Sequence, residues 1–274
     1  MLQLGQWSSH QQRWLTGVLL GGLLLLVLLR GPYWGICLVV WVASLLGSWE
    51  FQEIVWTEPP ERRWQISFLA IGTVLPTAAA LFGATALHFG LITAVFGGFL
   101  VFLIWSPSDP KVIPMLARFA LGWLYVPYFL AHALLLAGLD KGRFWLLWAL
   151  LTVFAGDIGA FYGGRRWGKN KLYQKVSPNK TREGALAGLA SSMLIGLLFA
   201  VMFLPEIPLV WIALFGPVVG AVGQLGDLVE SMLKRLSGKK DASSLLPGHG
   251  GFLDRLDSLL FALPTAWYFH EWLY

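Results

Sequence analysis

Charged residues and cysteines are scarce in this sequence. Only 13% of its 274 residues are Asp, Glu, Lys or Arg, and Cys37 is the one cysteine. A soluble domain carries about 25% charged residues, so the composition argues against a soluble globular class. One cysteine excludes an internal disulfide, and a buried structural thiol is expected for Cys37 in its apolar run. Hydrophobic residues reach 57% and there are 15 tryptophans, which indicates an integral membrane protein.

Long apolar runs recur along the chain. A bilayer core takes about 20 apolar residues per helix, and we expect an all-α polytopic bundle of about nine transmembrane helices. The first run is expected to be a retained helix, because little positive charge precedes it and no small-x-small cleavage signal follows it. The expected spans are 15–30, 33–49, 66–83, 86–105, 115–138, 144–163, 184–204, 208–233 and 257–273.

Basic residues are distributed unequally between the two sides of the membrane. Of the 20 Lys and Arg residues, 17 fall in the N-terminus and the even loops, and the odd loops hold only Arg30, Lys141 and Arg143. The positive-inside rule therefore predicts that the N-terminus and the loops at 164–183 and 234–256 are cytosolic. Because membrane topology accounts for the positive charge, no nucleic-acid partner is expected.

Acidic side chains interrupt the apolar spans at a few positions. They are Asp157 in the sixth span, Asp227 and Glu230 in the eighth, and Asp254 and Asp257 beside the start of the ninth. In the eighth span, Asp227, Ser231 and Lys234 are spaced to share one helix face with Glu230. An unpaired acid in a bilayer costs about 2.5–3.5 kcal/mol, so these residues are expected to face a polar cavity, a partner or a metal. Carboxylate oxygens are ligands that Mg²⁺ prefers.

Cations and glycines surround these acids. Lys234, Arg235, Lys239, Lys240, His249 and Arg255 stand near them, and the segment PGHGG at 247–251 has almost no side-chain bulk. Cations beside a carboxylate site favour an anionic ligand such as phosphate, and glycines allow the backbone to approach it. Simpler interpretations remain open. The basic loops could act only as topology signals, Asp227 and Asp254 could form structural salt bridges, and His88 and His132 are expected to be hydrogen-bonded packing residues.

The segment SMLKRLSGKKDASSLLPGHGGFLDRLD, residues 231–257, resembles the signature of the phosphatidate cytidylyltransferase (CDP-diacylglycerol synthase) family. The family pattern is S-x-hydrophobic-K-R-x4-K-D-x-small-x2-L-P-x-H-G-G-hydrophobic-x-D-R-hydrophobic-D, and this segment follows it without departure. The stretches at 157–169, 177–184 and 223–230 also resemble blocks of the family. The resemblance covers roughly the C-terminal half of the chain.

The resemblance implies that CTP and phosphatidic acid react to give CDP-diacylglycerol and pyrophosphate in phospholipid biosynthesis. It also implies Mg²⁺ and a second cation, for which K⁺ is a candidate. A homodimer is a candidate assembly. The bilayer itself is a partner, and the expected location is the bacterial inner membrane. We expect variable N-terminal membrane helices at residues 1–140 and a C-terminal catalytic membrane region at residues 141–274.

The resemblance also assigns roles to individual residues. Metal ligation is expected at Asp227 and Asp254, with secondary roles for Asp241 and Asp257. Lys240 and His249 join Asp227 and Asp254 as expected catalytic residues. Substrate binding is expected at Asp157, Lys180, Glu183, Ser231, Lys234, Arg235, Gly250, Gly251 and Arg255.

Other classes of membrane protein remain to be distinguished. A CDP-alcohol phosphotransferase pattern begins with Asp-Gly, a dipeptide that this sequence lacks. A CTP-dependent polyprenol kinase is nearer in character, but should lack the complete 231–257 pattern. A cation-coupled transporter could use Asp157 and Asp227 as an ion path, but would not need the glycine-rich basic loop.

Overall fold

The computed structural model of the protein describes residues 21–56, 61–105, 110–243, 245 and 250–274. Its helices are α1 (Gly21–Arg30), α2 (Tyr33–Val55), α3 (Arg62–Trp105), α4 (Val112–Trp123), α5 (Phe129–Ala137), α6 (Gly142–Trp167), α7 (Arg182–Phe203), α8 (Leu209–Leu236) and α9 (Asp257–Leu273). A π-helical turn, Leu124–Tyr128, joins α4 to α5, and a 3-10 turn, Leu253–Arg255, precedes α9. The strands are β1 (Lys171–Tyr173) and β2 (Ser177–Thr181).

The protein is an all-α polytopic membrane protein, as the sequence predicted. By length and composition, six helical segments within the described ranges are suited to crossing a membrane: α2, α3, the combined α4–α5 unit, α6, α7 and α8. The shorter apolar helix α1 lies within the first predicted span, whose beginning is outside the described residues. The number of nine membrane crossings stays a prediction.

Helix α3 consists of two arms that fold back on one another at Gly83. A straight helix of its 44 residues would measure about 66 Å, twice the roughly 30 Å of a bilayer core. Gly83 has φ +77°, which breaks the helix, and Trp64 near one end stacks on Phe102 near the other with ring centroids 4.8 Å apart. The break falls at the last residue of the predicted span 66–83 and before the predicted span 86–105, so the division of this region into two segments is confirmed.

Small residues bring α6, α7 and α8 close together. Ser192 Oγ on α7 donates to Thr152 O on α6 at 2.9 Å, and Trp148 Nε1 on α6 donates to Gly196 O at 3.2 Å. A Cβ at Gly188 would lie only 2.8 Å from Gly156 O, so α6 and α7 can approach this closely only with glycine at this position. This contact holds the second half of α6 against α7.

Helix α9 completes the C-terminal bundle against α8 and α5. Phe215 on α8 stacks on Phe269 on α9 with a centroid distance of 4.1 Å. His132 Nδ1 on α5 is 2.9 Å from Tyr128 O, and the Tyr128 hydroxyl is 3.0 Å from His88 Nδ1. The prediction that both histidines are hydrogen-bonded packing residues is confirmed.

A short antiparallel hairpin follows α6, which the sequence analysis did not foresee. Strands β1 and β2 pair with Lys171 opposite Thr181 and Tyr173 opposite Ser177. Thr181 then caps α7, since its Oγ1 accepts a hydrogen bond from Gly184 N at 3.1 Å. The hairpin therefore connects α6 directly to the start of α7 and fixes the residues between them.

Candidate active site

The last turns of α8 carry a row of polar side chains. Ser231 Oγ donates to Asp227 Oδ1 at 3.3 Å, and the ammonium of Lys234 pairs with Glu230 one turn earlier. Glu230 has no exposed surface and Lys234 is 8% exposed. These contacts confirm that the residues share one helix face, as their spacing predicted.

Lys234 joins α8 to the segment before α9. Its Nζ lies 2.5 Å from Asp254 Oδ1, in addition to its contact with Glu230. One buried cation thus lies between two buried carboxylates, and losing it would leave both without their cation. The sequence left open whether Asp254 forms a structural ion pair, and it does so with Lys234.

Asp254 also holds the backbone at the end of the glycine-rich segment. Its Oδ2 accepts hydrogen bonds from Gly251 N at 2.8 Å and from Ala242 N at 3.0 Å. Burial alone would raise the pKa of Asp254, but the hydrogen bonds from Lys234 and Gly251, together with the lysine charge, lower it below its ordinary value. Asp254 therefore favours the ionised form and fixes the residues on both sides of the segment.

Gly250 has a backbone conformation that favours glycine. Its φ is +80°, and a Cβ added there would lie 3.0 Å from Asp254 Oδ2. A side chain at this position would combine backbone strain with crowding against the carboxylate. The geometry gives a physical reason for glycine here.

A second ion pair joins α8 to the hairpin. Lys180 Nζ on β2 is 2.6 Å from Asp227 Oδ2, and both side chains are about one-third exposed or less. The charge of Asp227 also acts on Asp157 and Asp257, so three acids from α6, α8 and α9 lie near one another. The sequence left open whether Asp227 forms a structural salt bridge, and it does so with Lys180.

Glu183 anchors the backbone at the start of the hairpin. Its carboxylate accepts hydrogen bonds from Lys169 N at 3.1 Å and from Asn170 Nδ2 at 2.7 Å. Because these donors precede β1, Glu183 ties the end of α6 to the start of α7. The contacts give it a structural role, and its expected substrate contact stays a prediction.

Glu50 on α2 is a site residue that the sequence analysis missed. It is fully buried, and its carboxylate accepts hydrogen bonds from Ser243 Oγ, Phe252 N and Leu253 N at 2.5, 2.8 and 2.6 Å. Its one available signal was an acid inside an apolar run, the feature that drew attention to Asp157. Its partners are about 200 residues away in the chain, so no local spacing pointed to them.

Comparison with known proteins assigns the chain to a family. Residues 11–273 match the model of the cytidylyltransferase family. The chain belongs to the cytidylyltransferase family.

Relatives within this cytidylyltransferase family carry a more specific name. The phosphatidate cytidylyltransferase of Bacillus subtilis is 36% identical over 146 residues, which cover 53% of this chain and 54% of the relative. That of Haemophilus influenzae is 42% identical over 133 residues, 47% of this chain and 46% of the relative. That of Staphylococcus aureus strain COL is 45% identical over 127 residues, which cover 46% of this chain and 48% of the relative. The chain spans about half the length of the curated relatives it matches.

In this member of the cytidylyltransferase family, most of the predicted site residues fall into two groups. One group is held by the contacts described above: Asp227, Ser231, Lys234, Asp254, Lys180, Glu183 and Gly251. The other group has exposed side chains around this centre: Arg235, Lys240, Asp241 and Arg255. His249 lies outside the described residues, so its expected role stays a prediction.

Among the described residues, no group of three or more His, Cys, Asp or Glu side chains is arranged to hold a metal ion. Mg²⁺ often uses only one or two protein carboxylates and fills its other positions with water and phosphate oxygens. Asp227 and Asp257, whose charges interact, fit such an open site. A Cβ at Gly226 would collide with Asp257 O, so the backbones that carry these two acids are in close contact. The metal roles predicted for Asp227, Asp254, Asp241 and Asp257 stay predictions.

Proposed function

We propose that the protein is a CTP:phosphatidate cytidylyltransferase that makes CDP-diacylglycerol. A phosphate oxygen of phosphatidate forms a bond to the α-phosphorus of CTP, the bond from that phosphorus to the bridging oxygen of the β-phosphate breaks, and pyrophosphate leaves. The observation that carries the proposal is that Asp254 holds Gly251, at the end of the glycine-rich segment, and pairs with Lys234 of α8. The family membership and the names of the relatives support the same reaction.

Charge repulsion is the main obstacle to this reaction, because both substrates are anions. Arg235, Lys240 and Arg255 have exposed side chains and lie before and after the glycine-rich segment in the chain, and we assign them the attraction of phosphates. Lys180 reaches the same region from the hairpin through its pair with Asp227. The phosphatidate phosphate is ionised at neutral pH, so the site needs no strong general base. The chain's own task is to orient the two phosphates and to offset their charge.

We include Mg²⁺ in the proposal, with Asp227 and Asp257 as its nearest protein ligands. Asp254 and Asp241 complete the predicted set, and a second cation, with K⁺ as candidate, belongs to the same proposal. When bound, the metal neutralises charge on the phosphate oxygens and on the leaving pyrophosphate. Asp254 already accepts two backbone N–H groups and the Lys234 ammonium, so we give it mainly the task of holding the segment.

The proposal also covers membrane placement. The protein is an integral membrane protein with substrates of two kinds, a soluble nucleotide and a lipid. We place it in the bacterial inner membrane with the N-terminus, the hairpin and the segment 234–256 in the cytosol, where CTP is available. A homodimer is the proposed assembly.

The test is turnover by the purified full-length protein in detergent or vesicles. With phosphatidate, Mg²⁺ and CTP labelled in the cytosine ring, the label should enter a lipid product while pyrophosphate is released in equal amount. Transfer of only the terminal phosphate to a polyprenol, with release of CDP, would instead identify a lipid kinase. Ion-driven solute uptake into vesicles, with no consumption of CTP, would identify a transporter. Either of these results would refute the proposal.

A further inference from the structure

We propose that Glu50, on helix α2 in the N-terminal half, is a positioning residue for the two stretches of the site that precede and follow the glycine-rich segment. The inference rests on the proposed cytidylyltransferase function for its catalytic readout. Its structural readout is independent of that function.

The first observation is that the Glu50 carboxylate accepts three hydrogen bonds from donors of one region. Oε1 accepts from Ser243 Oγ and Phe252 N, and Oε2 accepts from Leu253 N. All three donors lie in residues 237–256, which connect α8 to α9. A fully buried carboxylate with three short hydrogen bonds is a strong and geometrically specific tie.

The second observation is that Glu50 and Asp254 hold the same two stretches of backbone. Glu50 binds the side chain of Ser243, and Asp254 binds the neighbouring amide of Ala242. Glu50 binds the amides of Phe252 and Leu253, and Asp254 follows directly after them. A shift of the Glu50 contacts would therefore move Asp254, and with it the partner of Lys234.

The third observation is that Glu50 lies so close to Gly251 that no side chain fits at residue 251. A Cβ at Gly251 would lie 3.0 Å from Glu50 Oε2 and 2.7 Å from Ala242 Cβ. One turn further along α2, Lys239 Nζ donates to Glu53 O at 2.5 Å, which adds a second tie between α2 and the segment. The end of α2 is therefore built against the segment at two points.

Glu50→Gln is the main test variant. A glutamine offers one acceptor oxygen where the carboxylate offers two, so at least one donor of the segment must face an amide NH₂ group. Glu53→Gln is the matched control, because it makes the same chemical change three residues away on an exposed side chain, and the Lys239 contact uses the Glu53 backbone. Ser243→Ala is the milder second variant. It removes one of the three bonds to Glu50, together with the bond from Leu245 N to the same hydroxyl, and leaves the amides of Phe252 and Leu253 bound.

The first measurement is hydrogen exchange of the full-length protein, read in peptides that contain Phe252 and Leu253. We expect these amides to exchange at least about tenfold faster in Glu50→Gln and unchanged in Glu53→Gln, because a lost hydrogen bond exposes its donor. This readout needs no substrate. Unchanged exchange in Glu50→Gln would overturn the inference whether or not the protein turns over CTP.

The second measurement is kinetics with CTP and phosphatidate varied in turn. We expect kcat/KM for CTP to fall about tenfold to a hundredfold in Glu50→Gln, with KM for CTP raised and KM for phosphatidate within about threefold of the wild type. Ser243→Ala should show the same split with a smaller loss, and it keeps the test valid if Glu50→Gln does not fold.

Two kinetic results would contradict positioning. One is a fall in kcat with both KM values unchanged in both variants, as expected if a smaller fraction of the protein is folded. The other is wild-type kinetics in Glu50→Gln despite faster exchange. If the wild-type protein itself makes no CDP-diacylglycerol, the proposed function fails, and the exchange result still decides whether Glu50 holds the segment.

Discussion

Removing the cation of Lys234 should destabilise the protein through a buried acid that is left behind. Lys234→Met keeps a long, unbranched side chain but loses the ammonium that lies between Glu230 and Asp254. The two acids differ in what remains. Asp254 keeps the amides of Ala242 and Gly251. Glu230 is fully buried, and Lys234 is the cation paired with it.

The size of the effect follows from this difference. Removing one partner of a buried ion pair costs about 3–5 kcal/mol, because the remaining charge is uncompensated. For a chain of this size, each kcal/mol lowers Tm by roughly 2–4 °C, so we expect a fall of roughly 10 °C. Neutralising Glu230 in the double variant Lys234→Met/Glu230→Gln should recover more than half of this loss, since the amides continue to stabilise Asp254.

Thermal unfolding in detergent, followed by tryptophan fluorescence, measures these changes. Lys175→Met is the matched control, because Lys175 is exposed in the turn of the hairpin and the same substitution there should shift Tm by less than about 2 °C. A Tm of Lys234→Met close to that of the wild type would refute the reasoning. So would a double variant no more stable than Lys234→Met, because the loss would then not come from Glu230.

Four further predictions concern the site and its orientation. Asp227→Asn and Asp254→Asn should each lower kcat about a hundredfold at saturating Mg²⁺, with Asp140→Asn as a silent control; near-normal turnover of Asp227→Asn would contradict the metal proposal, and near-normal turnover of Asp254→Asn would contradict its role in holding the site. Gly250→Ala should lose at least about tenfold in kcat/KM, whereas Gly238→Ala, with a similar φ of +70° but open space around its Cα, should keep its activity; equal losses would show that backbone strain alone is responsible. Hydrogen bonds lower the pKa of Asp254 despite its burial, so the ionised carboxylate contributes its full stability above the ordinary pKa of an aspartate. This contribution is lost as the pH falls through the lowered pKa. Below about pH 4, Tm should therefore fall more steeply in the wild type than in Asp254→Asn. After replacement of Cys37, cysteines at Gln174 and Ser237 should react with an impermeant reagent only in inverted vesicles, and labelling in intact cells would overturn the topology.

The helices could be predicted largely from the sequence, because the bilayer imposes a length and a composition on each of them. The predicted span 184–204 corresponds to Arg182–Phe203, and 208–233 corresponds to Leu209–Leu236. The hairpin was not predicted. Its strands are three and five residues long, and its stability comes from Glu183 and Thr181 rather than from a hydrophobic pattern.

The site could be predicted where its contacts are local. Asp227, Glu230, Ser231 and Lys234 follow helical spacing, so their common face could be read from the sequence. The pairing of Lys180 with Asp227 joins a strand to a helix across a separate element, and no periodicity encodes such a contact. The sequence left a salt bridge for Asp254 open without identifying Lys234 as the partner, because the partner depends on how the segment folds back onto α8.

The contacts of Glu50 have a consequence for biogenesis. Its three partners follow it by 193, 202 and 203 residues, so α2 is synthesised long before they exist. At roughly 5–20 residues per second, the carboxylate waits on the order of 10–40 s for its donors. During that time the Glu50 carboxylate cannot bind Ser243, Phe252 or Leu253. Because an unpaired carboxylate is costly inside a bilayer, the end of α2 is more stable near the aqueous interface. The bundle can close only when the last part of the chain arrives, so joining α2 to the segment belongs among the final steps of assembly.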